Sequence, residues 1–120
     1  MGLDFIEGEQ LSGVWFVMDY LQLQFNSSLL TLYHWPEVFI PAGLQLPEGS
    51  YAFGDPGYRD ALCSEIAENV ETTSIEEGVA LEISFEDGTI FRSSLREEDY
   101  EGPEAGTFTT GVAGDPMMVF

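Results

Sequence analysis

The chain has 120 residues, 44% of them hydrophobic, and carries 22 acidic residues against three arginines and no lysine, for a formal net charge of −19. This length predicts one domain over residues 1–120, and the apolar content excludes a chain too polar to form a core. Such a charge repels nucleic acid and anionic membranes and favours a basic protein partner. It is equally consistent with a need for solubility and with adaptation to a salt-rich cytoplasm.

The beginning of the chain and its cysteine content predict a cytoplasmic protein. The segment MGLDFIEGEQ lacks the basic region and apolar run of a signal peptide. No window approaches the roughly 18 apolar residues of a membrane span. Cys63 is the single cysteine, so no disulfide forms within the chain, which suits a reducing compartment.

Alternating apolar and polar residues predict strands in both halves of the chain. Three apolar residues in 20–28 match those in 80–88 at a separation of sixty positions. We therefore predict two quasi-repeated three-stranded meanders, roughly at 10–34 and 69–95. Any two amphipathic strands resemble each other in this way, so a duplication is left open.

The first meander contains a strand, 14–18, that is apolar on both faces. Such strands are usually central and covered on both sides, and we predict that here. The following segment, 36–54, is rich in proline and glycine and predicts a long loop without regular structure. Its aromatic residues either hold the loop against the core or anchor a partner. They are Phe39, Tyr51 and Phe53, with Trp35 just before them.

One helix is predicted between the two meanders, from Pro56 to about Ala67. Asp55 is suited to cap it, and proline is favoured at the first helical position because its missing N–H has no partner there. Its buried stripe is predicted to consist of Tyr58, Leu62 and Ile66. The fold class is therefore α+β: mainly antiparallel sheet from the two meanders, with one α-helix between them in sequence.

The second meander contains an Asp-Gly turn that admits two hairpin geometries. A three-residue turn with Gly88 left-handed pairs apolar with apolar and acid with base, whereas a two-residue turn sets Ile83 against Arg92. We predict the three-residue turn. It sets Ile83 opposite Phe91, Val79 opposite Leu95 and Glu82 opposite Arg92, and it directs Val79, Leu81, Ile83, Phe85 and Phe91 into the core. The tail, 107–120, docks, pairs with a sheet edge or is disordered.

The sequence gives no sign of catalysis, and we predict that the protein is not an enzyme. Serine-hydrolase, P-loop, dinucleotide-binding and zinc-protease motifs are absent. We interpret His34 as structural or exposed and Cys63 as a buried, inert thiol. One histidine and one cysteine cannot build an ordinary zinc site, and Asp87-Gly88 lacks repeated calcium ligands, so no metal or cofactor is predicted.

The stretch REEDYEGPEA, residues 96–105, concentrates negative charge after the last clear strand. Glycine and proline at 102–103 exclude a continuous helix, so the acids do not form one helical face. The stretch is either a solvated acidic loop or an anionic rim that meets a basic partner. The candidate partner-binding residues are Glu97, Glu98, Asp99, Tyr100, Glu101 and Glu104.

The second half resembles a family of small, uncharacterised acidic bacterial proteins, some of which are immunity-protein-like. The resemblance rests on GYRDAL at 57–62, on the Asp-Gly hairpin and on EDYEGPEA at 98–105. It implies a bacterial origin and no established activity, although the immunity-like proteins of this kind neutralise toxins.

Two functions follow. The first is a non-enzymatic interaction domain of the immunity or inhibitor type that presents acids to a basic partner, with mimicry of nucleic acid as a related form. The second is a small-molecule-binding or enzymatic domain that uses a pocket between helix and sheet, lined by Trp15, Tyr58 and Arg59.

Overall fold

The computed structural model describes residues 3–96, 105–110 and 117–120. Two five-stranded antiparallel sheets dominate it. The first sheet has the order β1-β2-β3-β9-β10, formed by Leu11–Val17, Tyr20–Phe25, Ser28–Leu32, Gly106–Thr110 and Met118–Val119. The second has the order β5-β4-β8-β7-β6, where β4 to β8 are Glu37–Ile40, Gly49–Tyr51, Val70–Glu76, Ala80–Phe85 and Ile90–Ser94. A 3₁₀ turn at Leu3–Ile6 and one helix, α1, at Tyr58–Cys63 complete the described elements.

The predicted sheet-dominated α+β class is confirmed. The quasi-repeat between the two halves stays a prediction. In the described ranges, no helix is both long and apolar enough to cross a membrane.

Both sheets contribute to one apolar core. Alternate residues of β2 and β7 point inward, as the period of a strand requires. The largest buried side chains include Phe25 of β2, Phe85 of β7, Phe91 of β8 and Phe108 of β9. Phe85 and Phe91 meet edge to face, with ring centroids 4.8 Å apart. Residues distant in sequence therefore close the core together.

The predicted β7–β8 hairpin is confirmed in its register. Ile83 pairs with Phe91, and Glu82 pairs with Arg92, whose guanidinium contacts the Glu82 carboxylate. Gly88 has a φ of 94°, and its N–H donates to the Phe85 carbonyl at 3.0 Å, as a three-residue turn requires. The N–H of Leu95 donates to the Val79 carbonyl, so these two residues also face each other.

Two details of the predicted strands are wrong. Val79 is exposed rather than in the core, because it lies in the turn before β7 begins. Strand β1 is not central: in the part of the chain that the structure describes, it stands at one end of its sheet beside β2. Its apolar faces are not both covered, since the side chains of Trp15 and Phe16 are exposed to solvent.

The helix is shorter than predicted. The chain enters it through Gly57, whose φ of 83° is left-handed, and it ends at Cys63, before a turn in which Ala67 also has a positive φ. Asp55 does not cap it: its carboxylate accepts the Ala52 N–H at 2.9 Å in the preceding turn. The early ending rotates Ile66 into solvent.

The buried face of this segment therefore consists of Tyr58, Ala61, Leu62 and Glu65. Cys63 points away from that face and is exposed, so the prediction of a buried thiol is wrong. Partial desolvation of the exposed thiol by neighbouring atoms, and then the charge of Asp60, raise the pKa of Cys63, which keeps the thiol protonated.

The predicted loop 36–54 and the end of the tail both take part in the sheets. The prediction of a structureless loop over 36–54 is wrong, because β4 and β5 lie within this segment and β4 pairs with both β5 and β8. At the end of the chain, β10 pairs with β9, and the Phe120 N–H donates to the Gly106 carbonyl at 3.1 Å. Of the three possibilities for the tail, pairing with a sheet edge describes 117–120.

Gly106 allows β9 to lie close to its neighbours, so Gly106→Ala is expected to destabilise the protein. An added Cβ would lie 2.5 Å from the Thr31 carbonyl oxygen and 2.8 Å from the Phe120 ring. The Thr31 oxygen belongs to a paired strand and cannot retreat cheaply. We expect urea denaturation to show that the free energy of unfolding falls by about 1–3 kcal/mol.

Gly13→Ala is the control: its added Cβ meets no atom closer than 3.6 Å, so the free energy of unfolding should change by no more than about 0.5 kcal/mol. Equal losses would contradict this account.

Glu65 is expected to make stability depend on pH. Burial, followed by the neighbouring Asp87 carboxyl, raises the pKa of Glu65 from 4.5 to about 8. The unfolded chain releases this proton at the lower value and the folded chain at the higher one. Stability from this group is therefore complete below pH 4.5 and is lost as the pH rises toward 8.

Glu65→Gln removes that titration while keeping the shape of the side chain. Relative to this variant, the wild-type protein should lose about 1.4 kcal/mol for each pH unit across the window. Urea unfolding of both proteins at several pH values from 4.5 to 8 measures the difference, and the other carboxyl groups cancel because both proteins carry them. Parallel pH profiles would show that Glu65 does not titrate in this way.

Candidate functional site

An open cleft of about 500 Å³ lies where the end of β1, the chain after β3 and the start of α1 meet. Phe16 comes from β1, Trp35 follows β3, and Phe53 lies in the turn after β5. The first turn of α1 contributes Tyr58 and Arg59. Four separate parts of the chain therefore build one concave surface.

Stacked aromatic rings form the wall of this cleft. Phe16 lies nearly parallel to Trp35, with centroids 6.3 Å apart and planes at 13°. The centroid of the Phe53 ring lies 4.9 Å from that of Trp35 and 6.2 Å from that of Tyr58, which it meets edge to face. Phe53 is 64% exposed and Phe16 40% exposed, so solvent reaches the ring surfaces. Exposed aromatic surface that lines a concavity is typical of a binding site.

Tyr58 fixes the floor of the cleft. Its ring is buried, and its hydroxyl donates a short hydrogen bond to the carbonyl of Pro36, directly after Trp35. Burial, and then the negative charge of Glu37, raise the pKa of Tyr58 well above its usual value, so the hydroxyl stays a donor. The hydrogen bond joins α1 to the segment that carries Trp35.

The turn before α1 has a fixed shape. The Asp55 N–H donates to the Ala52 carbonyl, and the Asp55 carboxylate accepts the Ala52 N–H, each at 2.9 Å. Gly57 follows with its left-handed conformation, and a Cβ there would lie 3.4 Å from the Tyr51 ring. This turn holds Phe53 beside Trp35 and directs the start of α1 toward the cleft.

Charged side chains surround the aromatic wall. Arg59 is exposed, and its guanidinium carbon lies 5.9 Å from the centroid of the Phe16 ring, a cation–π distance. Asp55 and Asp60 also line the cleft. Two carboxylates and one guanidinium leave a formal charge of −1 there, within a chain of net charge −19. The cleft therefore favours a cation over an anion.

The structure separates the two sets of predicted site residues. From the predicted pocket it brings Tyr58 and Arg59 together, whereas Trp15 is 53% exposed and is not among the cleft-lining residues. The predicted acidic rim lies outside the described residues. That set is Glu97, Glu98, Asp99, Tyr100, Glu101 and Glu104.

The residues with catalytic or metal-binding side chains lie elsewhere. His34 is half-buried, and its carbonyl accepts a hydrogen bond from the Ser93 hydroxyl at 3.1 Å. Neither His34 nor Cys63 lines the cleft. Within the described ranges, no group of three His, Cys, Asp or Glu side chains is placed to hold a metal ion.

Sequence reasoning missed part of the cleft. It treated Trp35 and Phe53 as loop aromatics with two alternative roles, and it assigned Phe16 to a covered strand. The spacing of these residues gives no signal, because they lie in three separate parts of the chain that only the tertiary structure brings together.

Comparison of the chain with protein-family models, curated proteins and solved structures finds no significant match.

Proposed function

We propose that this protein is a non-enzymatic interaction domain that binds a basic protein partner, and that the aromatic cleft receives a basic side chain of that partner. The observation that carries the proposal is the exposed Phe16–Trp35–Phe53 wall, flanked by carboxylates in a chain of net charge −19. The two features indicate a basic side chain only together, since exposed aromatic rings alone suit many ligands and acidic residues alone suit many cations.

The charge favours the approach of a cation. A strongly single-signed field raises the association rate of oppositely charged partners and rejects partners of like charge. Within the cleft, Asp55 and Asp60 outnumber Arg59. An anionic ligand would have to approach against both the local and the overall charge, so Arg59 is a poor basis for anion binding.

The rings favour a cation that can stack. Tryptophan gives the strongest cation–π attraction, and guanidinium groups use it most often. Arg59 already lies over the Phe16 ring within the chain, which supports a guanidinium as a partner for these rings. Phe53 and Trp35 present further ring surface beside it. A partner arginine or lysine would add a second cation of the same kind, with its alkyl stem on the exposed Phe53 ring.

The family resemblance gives this proposal its more specific form. An immunity or inhibitor role in a bacterial cytoplasm would require a tight, charge-steered complex with a basic toxin or enzyme. The acidic stretch 97–104 would then supply the outer contacts and the cleft an inner anchor, since buried aromatic and arginine contacts supply most of the binding energy at interfaces. Mimicry of nucleic acid is the related form in which the partner's DNA-binding surface is occupied.

The volume of the cleft supports a second candidate function. About 500 Å³ lies within the range of small-molecule sites, and a flat or quaternary ammonium ligand would suit the same rings. Tyr58, whose hydroxyl is engaged with Pro36, would serve this ligand as a wall rather than as an acid or base. This candidate differs from the first in requiring no surface outside the cleft.

Phe53→Ala is expected to weaken binding of a basic peptide, because it removes an exposed ring from the cleft wall without opening the core. The probe is a fluorescently labelled peptide of alternating arginine and glycine, and its Kd is measured by anisotropy at low salt. We expect about a tenfold increase in Kd, which corresponds to about 1.4 kcal/mol.

Trp15→Ala is the matched control, since Trp15 is also an exposed aromatic but does not line the cleft. Its Kd should stay within about twofold of the wild-type value. A glutamate-glycine peptide should not bind. Equal losses in the two variants, or equal binding of the two peptides, would count against the cleft as the cation site.

The acidic stretch is expected to control the rate of association. Neutralising it with Glu97→Gln, Glu98→Gln, Asp99→Asn, Glu101→Gln and Glu104→Gln changes the net charge from −19 to −14. The matched control makes the same change of five charges at exposed positions elsewhere, with Gln at Glu48, Glu71, Glu76, Glu77 and Glu86.

Stopped-flow association of the arginine peptide at low salt compares the two variants. If the stretch is a rim for the partner, its variant should slow association several-fold more than the control, and the difference should vanish at high salt. Identical rates would mean that only the total charge matters and that the stretch is a solvated loop.

A further inference from the structure

A second, smaller pocket of about 200 Å³ lies between the turn that follows α1 and the loop between β4 and β5. It shares no lining residue with the aromatic cleft. Ile40, Leu44 and Leu46 give it an apolar side, and Glu65 and Asp87 supply two carboxyl groups. The pocket therefore combines an apolar wall with two adjacent carboxyl groups.

The oxygen atoms of Glu65 lack the donors that a buried carboxylate requires. Glu65 is 1% exposed, and its Oε1 has no hydrogen-bond partner. Its Oε2 lies 3.2 Å from the Ser64 hydroxyl, but that hydroxyl is also 2.7 Å from the Ala61 carbonyl. A serine hydroxyl has one proton, and the shorter contact takes it. Either a proton or an external donor must then satisfy Glu65.

The neighbouring groups increase this demand. Asp87 uses Oδ1 to accept the Thr89 N–H at 2.9 Å, and as a carboxylate it can accept a hydrogen bond from protonated Glu65 but cannot donate one. Burial, the hydrogen bond with Asp87 and the charges of Asp87 and Glu68 all oppose ionisation of Glu65, while Ser64 favours it. On the opposite side, the loop between β4 and β5 contributes Gln45 and apolar residues to the pocket. A cation with N–H donors would stabilise the ionised form.

We propose that this pocket binds a primary ammonium group carried on a short alkyl chain, with the nitrogen donating to Glu65 and Asp87 and the chain lying against Ile40, Leu44 and Leu46. A primary ammonium has three donors, which suits two adjacent carboxyl groups. A metal ion would require more oxygen ligands than this pair offers. The ligand class is therefore a lysine side chain or a free alkylamine.

The size of the pocket fits this ligand. The pocket has room for several water molecules, which is enough for a four-carbon alkylammonium. A quaternary ammonium has no N–H to donate and suits the aromatic cleft instead. The two sites therefore select different cations, and this proposal stands independently of the proposed function.

The test is an NMR titration of the ¹⁵N-labelled full chain with n-butylammonium at about pH 8.5, where most Glu65 side chains are ionised. We expect the amide signals of Gln45 and Ser64 to shift with a saturable, millimolar Kd. Glu65→Gln should raise this Kd at least tenfold. Asp87→Asn, which keeps the oxygen that accepts the Thr89 N–H, should raise it less. At one pH unit below the pKa of Glu65, where about a tenth of these side chains are ionised, binding should be about tenfold weaker.

Three control titrations distinguish this site from non-specific apolar binding and from the aromatic cleft. n-Butanol has the same chain without the charge and should produce no saturable shift. Tetramethylammonium should not compete, and Phe53→Ala should leave the butylammonium Kd unchanged, since Phe53 lines the other cleft. The proposal is overturned if n-butanol binds as well, if Glu65→Gln leaves the Kd unchanged, or if the shifts appear only around Trp35 and Phe53.

The source of the ammonium group is resolved by a second titration with Nα-acetyl-lysine methylamide. Binding comparable to that of n-butylammonium supports the pocket as a site for a lysine side chain. Binding of n-butylammonium alone supports it as a site for a free amine.

Discussion

The scarcity of positive charge is the constraint on which the rest of this structure depends. With 22 acidic residues and three arginines, pairing one for one leaves nineteen carboxyl groups without a cationic partner. The pair between Arg92 and Glu82 is partly exposed, and such pairs contribute little. Folding therefore relies on the apolar core that both sheets share, in which Phe25, Phe85 and Phe91 are almost fully buried. That core must also offset the mutual repulsion of the surface.

The same scarcity is the reason that we propose cations as the ligands of both candidate sites. The aromatic cleft uses ring faces that need no countercharge, and its one internal cation, Arg59, already lies against Phe16. The smaller pocket holds Glu65, a carboxyl group that burial has deprived of donors. In a chain with more lysine, an internal ammonium would be expected to satisfy such a group. In this chain, either a proton or a bound ligand satisfies the Glu65 carboxyl group. Binding of a basic partner would supply the positive charge that the sequence itself lacks.

How much of this could be predicted from sequence depends on how local each determinant is. The β7–β8 hairpin could be predicted, because pairing Ile83 with Phe91 and Glu82 with Arg92 distinguishes between two turns within one short segment. The edge position of β1 could not, since its neighbours are set by strand order across the whole sheet. The predicted start and end of the helix are wrong, because positive φ values at Gly57 and Ala67 override the capping and propensity signals of the sequence.

For the sites, the same distinction holds. Tyr58 and Arg59 could be selected because they lie on the predicted helix, whereas Phe16, Trp35 and Phe53 converge only through tertiary structure. Glu65 carried a usable signal that was not recognised: it stands seven positions after Tyr58 and three after Leu62, the spacing of one helical face. Reading that spacing would have placed a carboxyl group on the buried side of the segment.

The most direct test of the central claim uses the two tryptophans of the chain, one in the cleft and one outside it. Their indole N–H groups give two separate signals in a ¹H–¹⁵N spectrum, which the Trp15→Ala variant assigns. The protein is titrated with the arginine-glycine peptide at low salt. If the cleft receives basic side chains, the Trp35 signal shifts and saturates while the Trp15 signal stays in place. Equal movement of both signals, or movement of neither while the peptide binds, would contradict the account.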